Sequence, residues 1–120
     1  VTLAAAARTT LSVPSHAIML GAAVADAVAG AVREALANAA RHAGADAQTW
    51  VLVEDDGAAV IVSVRDDGPG VDDERLAAAR EAGRLGVAQS IMGRIALVGG
   101  HATISNAPGG GTEVEIRVPR

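Results

Sequence analysis

From Gly21 to Ala43 apolar side chains return at every fourth position, at Val24, Val28, Val32 and Leu36. That interval lays one stripe along a helix, so the segment is predicted helical, with Gly44 as its stop. Beyond it the period shortens to two. Gln48–Glu54 and Ala58–Asp66 are both rich in β-branched residues, and they flank Asp55-Asp56-Gly57, which predicts a tight hairpin. Near the end Val114, Ile116 and Val118 alternate with Glu113, Glu115 and Arg117, the pattern of a strand with one buried and one wet face. This strand, Thr112–Val118, is paired by a Pro-Gly-Gly-Gly turn with Ala102–Asn106. Thr9–Val13 reads as a short strand closed by Pro14. Asp72–Ala82 reads as a helix with acidic residues at its start, and Val87–Val98 as a helix ended by Gly99-Gly100. Residues 1–8 are Ala-rich, a frayed end or the tail of a preceding helix. The expected architecture is α+β: a two-layer α/β sandwich whose mixed, mostly antiparallel sheet is covered on one face by helices.

Composition narrows the chemistry. The 120 residues are 50% hydrophobic, which suits one folded domain. A net charge of -4 lacks the basic excess of a nucleic-acid surface. There is no Cys, hence no disulfide framework and no thiolate metal site. There is also no Lys, which excludes the Gly-Lys-Ser/Thr phosphate loop. The most apolar stretch, Ala22–Ala43, is interrupted by Asp26, Arg33, Glu34 and Arg41, so no membrane contact is expected of it. Because the chain begins at Val1, we expect a domain cut from a longer protein.

Asp-Asp-Gly occurs a second time, at Asp66-Asp67-Gly68, and the strand before it gives it a different meaning. Val60, Val62, Val64 and Asp66 share one strand face, while Ile61, Ser63, Arg65 and Asp67 share the other. Asp66 therefore points toward the covered layer, where a carboxylate requires hydrogen-bond donors. Gly68 and Gly70 permit a close approach of backbone to ligand. Such an acid at a strand end is a base-recognition site or the cap of the next turn.

On the long helix, Glu34, Asn38 and Arg41 fall on one side, with His42 at its edge. A carboxylate and an amide one turn apart offer oxygens to Mg²⁺, and Arg41 offers a guanidinium to phosphate. The plainer account is a solvated helix face. Gly86 before an apolar helical run is likewise either a simple helix start or a phosphate site.

The order of these pieces carries a resemblance. Arg33–Ala43 (REALANAARHA), Asp66–Gly70 (DDGPG), Gly83–Gly100 (GRLGVAQSIMGRIALVGG) and Gly109–Pro119 (GGGTEVEIRVP) resemble the N, G1, G2 and G3 boxes of the catalytic ATP-binding domain of sensor histidine kinases. The form of the N box is most similar to the class that partners NarL-type response regulators. The resemblance covers nearly the whole chain, from about Thr9 to Pro119, and implies the Bergerat ATP-binding sandwich shared with DNA gyrase and MutL proteins. It departs from the family pattern in lacking an F box, since there is no Phe, and in having Val87 where Leu is more common. Ser-Ile-Met-Gly-Arg, residues 90–94, also replaces a more frequent sequence.

The resemblance implies roles for particular residues. Asp66 maps to the reader of the adenine amino group, with Gly68 and Gly70 shaping the pocket floor. Asn38 maps to the ligand of Mg²⁺. Glu34 maps to the preceding N-box position, the general base of gyrase-like relatives. Arg41 and His42 map to residues that approach the phosphates. Arg84, Leu85, Gly86 and Val87 map to the lid end and the helix beneath the phosphates, and Gly111 and Thr112 to the G3 positions under the adenine.

The implied activity is transfer of the γ-phosphate of Mg²⁺-ATP to a histidine on a separate phosphoacceptor and dimerisation domain. The parent kinase would be membrane-anchored or soluble, with this domain cytoplasmic and, in isolation, monomeric and without autokinase activity. His16, His42 and His101 are each followed by Ala rather than an acid, so the acceptor is expected elsewhere. The alternatives on the same fold are an anti-sigma-type serine kinase, a gyrase-like ATPase and a non-catalytic docking module.

Overall fold

A computed structural model describes residues 9–42, 48–67, 86–106 and 111–120. Its elements in chain order are β1 (Thr9–Ser12), α1 (Ala22–His42), β2 (Thr49–Asp55), β3 (Ala59–Asp66), α2 (helical over 86–96), β4 (His101–Asn106) and β5 (Thr112–Pro119). The strands form a 5-stranded sheet in the order β1-β2-β3-β5-β4. Only the β1–β2 pair is parallel; the other three pairs are antiparallel. The predicted helix at 72–82, the Gly44 stop and the turn before Gly111 lie outside the described residues, as do residues 1–8.

Side-chain alternation decides which sheet face is covered. Val60, Val62 and Val64 of β3 and Val114, Ile116 and Val118 of β5 are buried under the helices, as their spacing predicts. Trp50 and Leu52 of β2 lie on the opposite, open face. α2 delivers Val87, Ile91 and Ile95 at four-residue intervals, and both isoleucines are fully enclosed. Each buried Val or Ile contributes about 1.5–3 kcal/mol relative to exposure, so these stripes hold the two layers together.

α1 buries the predicted stripe together with a row of alanines beside it. Val24 and Val28 are only partly covered, while Ala27, Ala31, Ala35 and Ala39 line the most buried edge beside Val32 and Leu36. The small alanines let the helix axis settle close to the sheet, and the larger valines flank that contact line.

α2 ends in a glycine cap. The amide of Gly100 donates to the Ile95 carbonyl at 3.0 Å and that of Gly99 to Ala96 at 3.1 Å. Gly99 has φ 78, the left-handed conformation such a cap needs.

The first Asp-Asp-Gly is the hairpin turn that the sequence predicts. Asp56 donates to the Ala59 carbonyl at 3.1 Å, and Gly57 takes φ 88. It also fastens three parts of the chain. Asp55 accepts from the Gly57 amide at 2.9 Å and meets His16 and Arg120, each at 3.1 Å. Asp56 accepts from the Ala58 and Ala59 amides at 3.0 and 2.7 Å and pairs with Arg117 at 2.9 Å. The Gly57 amide, followed by His16, holds the Asp55 carboxyl below the ordinary value of 3.8, and the Ala59 and Ala58 amides do the same for Asp56.

Candidate functional site

The second Asp-Asp-Gly sits at the far end of the same hairpin and is built differently. Asp66 ends β3 on the helix-facing side and is 7% exposed, the one acid on an otherwise apolar strand face. The Thr112 amide donates to its Oδ1 at 3.3 Å. Gly111, at φ 85, lies so close that any Cβ there would overlap the Asp66 carbonyl oxygen and crowd Oδ1. Asp67 points to the other side. Its Oδ1 accepts the Gln48 amide at 2.6 Å and its own amide donates to the Gln48 carbonyl at 3.2 Å, which closes the open end of the hairpin.

Strand register places Asp66 in a polar row across the sheet. Thr9 opposes Thr49, Thr49 opposes Asp66, and Asn106 opposes Thr112. Thr9, Thr49, Asp66 and Thr112 share the helix-facing side, one step beyond the apolar core. Thr49 is buried, and its Oγ1 lies 2.8 Å from that of Thr9. The sheet thus changes from aliphatic to polar along one line.

α1 presents the second group. Asn38 is buried at 9% exposure, and its Oδ1 has no hydrogen-bond partner among the described residues. A buried carbonyl left unpaired costs about 1–3 kcal/mol, so the position is retained at the expense of stability. A lone amide oxygen suits Mg²⁺, which takes few protein ligands and completes its shell with water and phosphate oxygens. Among the described residues no group of three or more His, Cys, Asp or Glu side chains converges.

One turn earlier on α1, Glu34 is engaged by α2. Ser90 Oγ donates to Glu34 Oε2 at 3.0 Å, and an Arg94 guanidinium nitrogen lies 4.0 Å from the same oxygen. Arg94 packs over Gly30, where a Cβ would overlap its guanidinium. Arg41 is exposed, with no hydrogen bond or ion pair among the described residues, and His42 is the last helical residue of α1. Gly86 is exposed, and Val87, in the first turn of α2, is buried. Gly68, Gly70, Arg84 and Leu85 lie outside the described residues.

The structure therefore brings Asp66, Gly111 and Thr112 together at one sheet end. Glu34 and Asn38 stand a turn apart on α1. Sequence reasoning missed Thr9, Thr49, Ser90 and Arg94. The signal for Thr49 was available: counting back from the hairpin turn sets it opposite Asp66. Ser90 and Arg94 gave a weaker one, a hydroxyl and a cation one turn apart on α2.

The fold recurs in known proteins. Residues 23–120 match the family described as histidine kinase-, DNA gyrase B- and HSP90-like ATPases, and the chain belongs to that family. Three solved structures show its fold. The histidine kinase domain of the Erythrobacter litoralis EL346 blue-light activated histidine kinase is similar at TM-score 0.67 and 24% identity, covering 93% of this chain and 52% of that one. The catalytic domain of histidine kinase ThkA gives TM-score 0.65 at 17% identity, covering 92% and 76%. The ATP binding domain of PrrB from Mycobacterium tuberculosis gives TM-score 0.63 at 24% identity, covering 93% and 80%. Of a longer Erythrobacter kinase chain this protein spans only 35%. No curated protein sequence matches the chain. The fold is thus the two-layer ATP-binding sandwich of histidine kinases. Among the described residues, no helix is long and apolar enough to cross a membrane.

Proposed function

We propose that this chain is the ATP-binding catalytic domain of a two-component sensor histidine kinase. In this reading the γ-phosphate of ATP passes to a histidine on a phosphoacceptor and dimerisation domain of the same parent kinase. The observation that carries it is Asp66, a carboxylate set inside the covered layer at the end of an apolar strand face, with the Gly111 backbone pressed against it.

The adenine amino group donates to Asp66, and Thr112 and Gly111 fix that carboxylate from the adjacent strand. Asn38 holds Mg²⁺, which when bound neutralises charge on the terminal phosphates. Arg41 and His42, at the end of α1, meet the phosphate chain. Gly68, Gly70, Arg84, Leu85, Gly86 and Val87 form the rest of the pocket and its lid. Transfer breaks the bond between the γ-phosphorus and its bridging oxygen, forms a phosphorus–nitrogen bond on the acceptor imidazole and leaves ADP. The domain contributes position and charge neutralisation, the main demands of phosphoryl transfer.

Glu34 is the residue that would favour a hydrolytic, gyrase-like activity. The hydrogen bond from Ser90 occupies one of its oxygens, which supports phosphotransfer over water activation. The parent kinase would pair with a NarL-type response regulator, with this domain in the cytoplasm. Calorimetric titration with ATP, with and without Mg²⁺, tests the reading. The wild-type chain binds ATP more tightly with the ion, and Asn38→Ala removes that gain while sparing magnesium-free binding. A folded wild-type chain that binds no ATP contradicts it.

A further inference from the structure

The Glu34 carboxylate is engaged from the neighbouring helix. Ser90 Oγ donates to Glu34 Oε2 at 3.0 Å, and an Arg94 guanidinium nitrogen stands 4.0 Å from the same oxygen. Residues four apart share a helix face, so α2 aims both groups at one carboxylate. The Glu34 side chain is 26% exposed, so water reaches it and burial does not withhold it. Alanine is the better helix former and fills exposed positions on α1, at Ala37 and Ala40, so helix propensity does not account for a hydroxyl at the exposed Ser90.

One helical turn, about 6 Å of rise, separates Glu34 from Asn38, the residue proposed to hold the ion. Water activation there requires a carboxylate lone pair aimed at a water beside the γ-phosphate. Glu34 would take the proton, the water oxygen would bond to the γ-phosphorus, and the bond to the bridging oxygen would break, leaving ADP and phosphate. The Ser90 hydroxyl takes up a lone pair of that carboxylate, and the Arg94 charge draws the same oxygen toward α2.

We propose that Ser90, seconded by Arg94, is a positioning residue that keeps Glu34 from activating water, so that ATP in this site is held for transfer rather than hydrolysed. The proposal rests on the reading of the site as one for Mg²⁺-ATP. The restraint belongs to α2, so it lasts only while α2 lies against α1 as it does here.

The test has two parts. ATP hydrolysis by the chain is measured at saturating Mg²⁺-ATP in the wild type, Ser90→Ala, Ser90→Thr and the double variant Ser90→Ala with Glu34→Ala, beside calorimetric affinities. Ser90→Ala should hydrolyse ATP about tenfold faster than wild type, the scale of one hydrogen bond to a charged group, with affinity unchanged within about twofold. Ser90→Thr keeps the hydroxyl and stays within about twofold of the wild-type rate, and the double variant is no faster than wild type. In the ligand-free chain, a double-mutant cycle of Ser90→Ala and Glu34→Ala on chemical unfolding should show a coupling of about threefold in the unfolding constant. Unchanged or slower hydrolysis in a Ser90→Ala chain that binds Mg²⁺-ATP normally overturns the proposal. So does an equal rise in Ser90→Thr, which would assign the effect to packing, or a rise that survives in the double variant, which would assign it to another base. Absence of coupling in the cycle removes the tie itself. A folded wild-type chain that binds no Mg²⁺-ATP overturns the reading of the site, and this inference with it.

Discussion

Gly111 and Asp66 meet backbone against backbone at the end of the sheet. At φ 85 Gly111 occupies the left-handed region, and the space where its side chain would stand is filled by the Asp66 carbonyl. The contact sets where β5 begins and how the Thr112 amide faces the carboxylate.

Gly111→Ala is therefore expected to be severe. The left-handed conformation costs a residue with a Cβ about 1–2 kcal/mol, and overlap with fixed backbone adds about 1–3 kcal/mol. Chemical denaturation should show a loss of that combined size, and ATP affinity should fall even in the folded fraction. Unchanged stability would refute the contact.

The same substitution at Gly30 should be nearly silent. There the obstruction is the far end of Arg94, a flexible and partly exposed side chain that can swing away. Alanine gains about 1 kcal/mol in helix propensity, and the Arg94–Glu34 pair it disturbs is worth less than about 1 kcal/mol. Unfolding free energies of Gly30→Ala and wild type from chemical denaturation should agree to within about 1 kcal/mol.

Asn38 predicts a trade of stability for function. Replacing it by Leu removes a buried oxygen that has no partner among the described residues, so the ligand-free domain should be as stable as wild type or more so, by up to about 1 kcal/mol. The same variant should lose the strengthening of ATP binding by Mg²⁺. Thermal unfolding without ligand and calorimetry with it check the two halves.

The hairpin turn predicts an acid-labile fold. Asp55 and Asp56 are both held below 3.8, so their stabilising contribution is complete above that pH and is lost as pH falls through their folded values. As pH falls below about 4, the wild-type unfolding temperature should drop more steeply than that of Asp55→Asn or Asp56→Asn. Parallel curves would show that the carboxylates do not matter.

Much of this architecture was legible in the residues. Alternation from Val60 to Asp66 was unbroken, so the side on which Asp66 lies followed from geometry alone. Gly57 and Gly99 marked their turn and cap because only glycine adopts those conformations readily. The buried line of α1 was obscured by alanine itself. The stripe from Val24 to Leu36 marked one side of that contact, and the alanine row beside it gave no signal because small residues stand on several sides of the helix. The tie from Ser90 to Glu34 spans 56 positions and depends on how α2 lies beside α1, which no local pattern encodes. Thr49 looked like an ordinary strand former, and its place beside Asp66 came from register rather than residue type.

The central claim is that Asp66, and not its neighbour, reads the base. Calorimetric titration of the chain with Mg²⁺-ATP, beside Asp66→Asn and Asp67→Asn, tests it most directly. The account predicts binding lost or cut at least about tenfold in Asp66→Asn, the effect of one charge-assisted hydrogen bond. Asp67→Asn should bind as wild type does, because its side chain only closes the hairpin against Gln48. Undiminished binding in a folded Asp66→Asn would contradict the claim.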